Sequence, residues 1–117
     1  MTNVRIQRVN AEIMRVLTLA LRDKMGNHHL AGVTVRMVET TSDFSLARVF
    51  VQVSGDEAEK SRVMSELDRA SGALRNHVAM RVTMKRIPEL RFILDRGRDN
   101  ANRVDELLAQ INSIKQD

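Results

Sequence analysis

One stretch, Asp68 to Asp95, constrains the fold more than any other: DRASGALRNHVAMRVTMKRIPELRFILD. Val63, Leu67, Leu74, Val78 and Val82 keep helical spacing through its first half and mark a core-facing stripe. Against that rhythm, Gly72 costs about 1 kcal/mol relative to Ala inside a helix, and Ser71 competes for backbone hydrogen bonds. The pattern predicts a kinked helix pair, interrupted at Ala70-Ser71-Gly72 and resuming through about Arg81. A basic pair and the single proline then lead into a short apolar strand. At the interruption the second helix is expected to present free N–H groups and its positive dipole end, a seat for phosphate. Arg69, Arg75, Arg81, Lys85 and Arg86 surround that point, and residues 69–86 contain no acidic side chain. The stretch points to RNA.

The remaining elements follow from periodicity. A first helix is expected from about Asn3 to Met25, with Ile6, Val9, Ile13, Val16, Leu17 and Ala20 on one face and Gly26 as its left-handed cap. Arg8, Arg15 and Arg22 recur every seven residues, within about 40° of one another and opposite the apolar face. Glu12 partly neutralises them, so a solvated face is the preferred reading over a nucleic-acid ridge. Asn27 to Gly32 reads as a loop; its adjacent His28 and His29 lack a Cys or carboxylate at zinc-ligand spacing. Val33 to Thr40, with Val33, Val35 and Met37 inward, and Leu46 to Val53, with Ala47, Val49, Val51 and Val53 inward, alternate as half-buried strands. The polar link 41–45 makes them an antiparallel hairpin in which Asp43 bonds its own turn. Asp56, Glu57 and Glu59 load the first turn of the next helix with acid. Pro88 stops helical continuation, and Leu90, Phe92 and Leu94 alternate in a third strand. After a turn at Arg96-Gly97-Arg98, Asp99 or Asn100 can cap a last helix with Val104, Leu107, Leu108, Ile111 and Ile114 on one stripe.

These elements fit one domain over residues 1–117: an α+β fold with a three-stranded mixed sheet, helices on one face and a right-handed crossover into the third strand. The chain has 117 residues, 43% hydrophobic and 29% charged, enough for one modest core. It has no cysteine, which excludes disulfides and thiolate metal sites and favours a reducing cytoplasm. Arg5, Arg8, Glu12 and Arg15 interrupt the N-terminal apolar pattern, so neither a secretory signal nor a membrane span is expected. A net charge of +4 favours a polyanionic partner. With no Trp, no Tyr and three Phe, phosphate and shape contacts are expected to dominate over base stacking.

Three local signatures narrow the reading further: TSDFSLARVFVQV, the Ala70-Ser71-Gly72 interruption, and RIPELRFILD. In this order and spacing the chain resembles the ribosome-binding factor A family, over roughly Arg5 to Ile111, and with it the type II KH domain, α-β-β-α-kink-α-β-α. The resemblance implies a non-enzymatic assembly factor of the cytoplasm, induced by cold shock and acting as a monomer. It would bind the immature 30S subunit near the 5′ region of 16S rRNA and promote maturation and rRNA processing. No cofactor, metal, membrane or small-molecule substrate is implied. Ala70, Ser71 and Gly72 match the family's interrupted helix where a standard KH domain has a Gly-x-x-Gly loop, and Pro88, Glu89, Phe92 and Asp95 match its last-strand motif. The loop Gly26-Asn27-His28-His29 departs from an expected Asp-Pro-Arg-like stretch. The RNA-binding residues expected are Arg69, Ala70, Ser71, Gly72, Arg75, Arg81, Lys85 and Arg86.

Three other classes compete. A general single-stranded RNA regulator of the KH type is disfavoured by the absent Gly-x-x-Gly clamp and the few aromatics. Ser71, His77 and Asp68 or Asp95 are the residue types of a hydrolase triad, but Ser71 lacks a nucleophile elbow. A protein-interaction module would use the basic face for an acidic partner, and salt titration against rRNA and against such a protein separates the two.

Overall fold

The computed structural model of the chain describes residues 4–24 and 28–96. Its elements are α1 (Val4–Leu19), a π-helical segment (Ala20–Lys24), the one-turn helix α2 (His28–Ala31), β1 (Thr34–Thr40), β2 (Leu46–Gln52), α3 (Glu57–Arg81) and β3 (Glu89–Leu94). The expected cap at Gly26, the turn at Gly97 and the last helix after Asp99 lie outside the described residues.

β2 is the middle of the three-stranded sheet, antiparallel to β1 and parallel to β3. The hairpin between β1 and β2 forms because Thr41 and Asp43 close it locally. The Thr41 amide donates to the Leu46 carbonyl at 2.9 Å, and Asp43 Oδ1 accepts from the Ser45 amide at 3.0 Å and the Thr41 hydroxyl at 2.8 Å. With the Ser45 hydroxyl also donating at 2.7 Å, the Asp43 carboxyl is pulled down to a pKa of about 2 by these bonds. The turn reading of Asp43 is what the geometry shows.

Helices α1 and α3 pack against the same side of the sheet, α1 on β1 and α3 on β3, and touch each other. Val9, Ile13, Val16 and Leu17 of α1, Val63, Leu67, Leu74 and Val78 of α3, and Ala47, Val49, Val51, Leu90 and Phe92 of the sheet form one core. The Thr40 amide, at the end of edge strand β1, donates to Asn10 Oδ1 at 3.0 Å and fastens α1 to it. At the other end, Arg96 reaches back with both terminal nitrogens to Glu57, at 2.8 and 3.0 Å, joining the end of β3 to the start of α3.

Three expectations need revision. First, residues 57–81 form one 25-residue α-helix that runs unbroken through Ala70-Ser71-Gly72, in place of two helices meeting there. Asp56 caps it by accepting from the Glu59 amide at 2.8 Å. The Ser71 hydroxyl, expected to compete with the helix, instead donates to the Asp68 carbonyl within it, at 2.7 Å. Four buried side chains spaced along one stripe outweigh the roughly 1 kcal/mol propensity cost of Gly72. Second, β1 bulges. Val35 pairs with Val51 but Met37 pairs with Phe50, so Arg36 is an extra residue. Beyond the bulge the inward set is Val38 and Thr40, and Met37 turns outward at 44% exposure. Third, the α-helical part of the first helix ends at Leu19 and widens into a π-helical segment, and the expected loop 27–32 contains the turn of α2.

Candidate nucleic-acid interface

After Arg81 the α3–β3 connection is pinned at both ends by inward-facing apolar residues. Val82 and Pro88 are buried and Met84 and Ile87 half-buried, which leaves Thr83, Lys85 and Arg86 projecting outward. Arg75, one turn beyond Gly72 on α3, stabilises this loop. Its terminal nitrogen donates to the Ile87 carbonyl at 2.7 Å and its Nε to the Pro88 carbonyl at 3.2 Å. Proline cannot donate and its neighbours are extended, so these carbonyls have no helical partner. Arg75 therefore positions Lys85 and Arg86.

Of the eight residues expected to bind RNA, five fall into two groups. Arg75, Lys85 and Arg86 meet at the α3–β3 junction. Arg69 and Gly72 are exposed earlier on α3, where a Cβ on Gly72 would meet nothing within 4 Å. Ala70 packs against the core and the Ser71 hydroxyl is held by Asp68, so neither offers a free polar group. Arg81, in the last turn, lies 3.3 Å from His77 Nδ1. The helix N-terminus expected at Gly72 is absent, so no fan of free amides stands there for a phosphate. Of the triad residue types, Ser71 and His77 are thus engaged with Asp68's carbonyl and Arg81.

A feature that sequence reasoning missed lies beside Lys85. The Glu89 amide donates to the Ser45 carbonyl at 3.0 Å, which draws the start of β3 against the hairpin turn. Between the turn, the residues before β3 and the beginning of α1 runs a groove of about 610 Å³. Val4, Val9, Phe44, Thr83 and Met84 line it, with Arg5, Arg8, Glu12 and Lys85 at its edges. The Arg8–Glu12 pair there is exposed, with Nε at 3.4 Å from the carboxylate. Phe44 has φ 59°, a left-handed backbone that costs a non-glycine residue roughly 1–2 kcal/mol. The detectable signal was one aromatic residue in an otherwise polar turn, Thr41-Ser42-Asp43-Phe44-Ser45. Arg8 and Arg15 are exposed on α1 opposite its core face, as their seven-residue spacing requires.

A second cleft, of about 520 Å³, lies between α2, the end of β2 and the start of α3, and includes His29, Asp56 and Glu59. Among the described residues no three His, Asp or Glu side chains are gathered for a metal ion. No described helix is long and apolar enough to cross a membrane.

The helix–strand–strand–helix–strand order, the mixed sheet and the one-sided helices define a type II KH-like α+β domain, here with a cationic surface along the α3–β3 junction. The chain belongs to the ribosome-binding factor A family, whose family model matches residues 5–108. It is 35% identical over 113 residues to ribosome-binding factor A of Brevibacillus brevis, covering 97% of this chain and 93% of the relative. Identity to that of Macrococcus caseolyticus is 30% over 113 residues, covering 97% and 99%. The crystal structure of ribosome-binding factor A from Thermus thermophilus superposes with a TM-score of 0.68 at 27% identity, over 76% of this chain and 94% of that one. A Thermus thermophilus ribosome-binding factor A homology model, fitted into a cryo-EM map of its complex with the 30S subunit, gives 0.60 at 29% identity, over 74% and 90%.

Proposed function

We propose that this protein is a non-enzymatic assembly factor that binds the immature 30S subunit through 16S rRNA, near its 5′ region. There it promotes maturation and rRNA processing, chiefly in the cold. The observation that carries the reading is the family match over residues 5–108, together with the 30S complex of a structural relative. The surface supports it. Lys85 and Arg86 project from a loop fixed by Arg75, and Arg69 stands exposed on the same helix. Such a basic edge meets a phosphate backbone by charge and shape without a Gly-x-x-Gly clamp. A cytoplasmic monomer with no cofactor completes the reading.

Cold sensitivity follows because misfolded RNA helices rearrange slowly at low temperature. The test is a deletion strain grown cold, with sucrose-gradient sedimentation of the native protein. Precursor 16S rRNA should accumulate, and the protein should travel with free 30S particles and avoid 70S. Normal 16S processing in the deletion strain would refute the proposal.

A further inference from the structure

Phe44 occupies a left-handed backbone position, φ 59°, that hairpin turns ordinarily give to Gly, Asn or Asp. The turn's own hydrogen bonds hold it there through Asp43 and Thr41. Its ring is half-buried: part packs on the core and part faces the groove shared with Val9 and Met84. The groove edges carry Arg5, Arg8 and Lys85, from two segments far apart in sequence. An aromatic and aliphatic slot bordered by three cations and the carboxylate of Glu12 has the two chemistries that a nucleotide needs, a flat surface for the base and net positive charge for the phosphates. At about 610 Å³ the groove falls within the roughly 300–1,000 Å³ of small-ligand sites. A paired base keeps its faces inside the duplex, whereas an unpaired one offers its flat face to the ring.

We propose that this groove receives an unpaired nucleotide of RNA, with the base stacked on Phe44 and the flanking phosphates on Arg5, Arg8 and Lys85. The inference rests on the RNA-binding reading above and assigns it a place where single-stranded RNA is distinguished from duplex. A phosphate reaching Arg8 displaces Glu12, which is paired with it.

The test compares the full-length protein binding a labelled single-stranded hexaribonucleotide and an RNA hairpin duplex, by fluorescence anisotropy over a series of salt concentrations. Phe44→Leu keeps the apolar body and removes the ring. It should weaken single-strand binding roughly 5- to 150-fold, the range of one base–aromatic stack, with duplex affinity and the salt slope unchanged. Phe44→Tyr should bind as the native chain does, and Lys85→Ala should flatten the salt slope. Undiminished single-strand binding by a folded Phe44→Leu variant overturns the inference, as does an equal loss toward duplex. Should Phe44→Leu not fold, the native chain decides by NMR. Hexanucleotide-induced shifts centred on Phe44, Val9 and Met84 support the groove, and shifts elsewhere overturn it. A native chain that binds 30S particles while Phe44→Leu is indifferent removes the groove alone. A native chain that binds neither RNA nor 30S removes the broader reading with it.

Discussion

Gly72→Ala separates a structural reason for glycine in α3 from a functional one. Residue 72 lies 15 residues past Glu57 in a 25-residue helix, solvent-exposed, and an added Cβ meets nothing within 4 Å. No steric term opposes the substitution. What remains is propensity, because alanine loses less backbone entropy than glycine on entering a helix, a gain of about 0.8–1.0 kcal/mol. In a domain of this size that corresponds to a rise in melting temperature of roughly 4 °C. Thermal and urea unfolding by circular dichroism should show the gain with an unchanged denaturant slope. A loss of stability would refute the reasoning, since it would mean that residue 72 does not hold helical dihedral angles. Binding to 30S particles is a separate readout of the same variant. A more stable protein that binds less well would show that glycine is kept for close approach of a phosphate backbone. Equal binding would leave Gly72 as a tolerated flaw in the helix.

Further substitutions probe the junction and the hairpin. Arg75→Ala should destabilise by about 1–2 kcal/mol, because two carbonyls lose a charged donor, whereas Lys85→Ala and Arg86→Ala should barely move the melting temperature but each lower the salt dependence of 30S binding by about 0.7–0.9 log units per lost phosphate contact. Equal destabilisation by all three would refute that division. Thr40→Val should be neutral to stabilising by about 1 kcal/mol in chemical denaturation, since the buried Thr40 hydroxyl has no partner; a loss above that size would reveal a missed contact. The Asp43 carboxyl, held near pKa 2 by Ser45 and Thr41, lies below its unfolded value of about 3.9. Its contribution is therefore complete above the unfolded value and is lost as pH falls from about 5 toward 2. An NMR titration with an ordinary midpoint, or an Asp43→Asn variant with the native pH dependence of stability over that window, would contradict this.

The elements and the core were legible because burial on helices and strands is periodic. Val63, Leu67, Leu74, Val78 and Val82 needed no long-range knowledge. Legibility failed where two local signals conflicted and a distant contact decided. Ser71 and Gly72 carry a genuine preference against helix, overridden by side chains buried on either side of them. In β1, Met37 and Val38 are adjacent apolar residues that offer two registers. Alternation alone selects Met37, but pairing with Phe50 after the Arg36 bulge turns Val38 inward. The basic cluster was visible as a run without acid. Its division into structural and outward-facing residues was not, because Arg75's partners are carbonyls 12 and 13 positions away. The groove was invisible for the same reason, being assembled from the start of α1, one turn residue and the loop before β3.

That division changes what net charge can say about binding. An arginine that donates to two carbonyls stays cationic, so it counts fully toward the formal +4 and toward long-range attraction of a polyanion. It does not release a counterion unless a phosphate reaches it, and the salt slope counts only such contacts. Arg75 and Arg96, held by carbonyls and by Glu57, thus belong to the steering field and to the fold. On the proposed RNA-binding reading, the steep part of the salt dependence falls to Lys85, Arg86 and the cations of the groove, which make no hydrogen bond to the carbonyls of Ile87 and Pro88. Neutralising Lys85 should consequently flatten the salt dependence of affinity more than neutralising Arg96, although both should slow encounter at low salt.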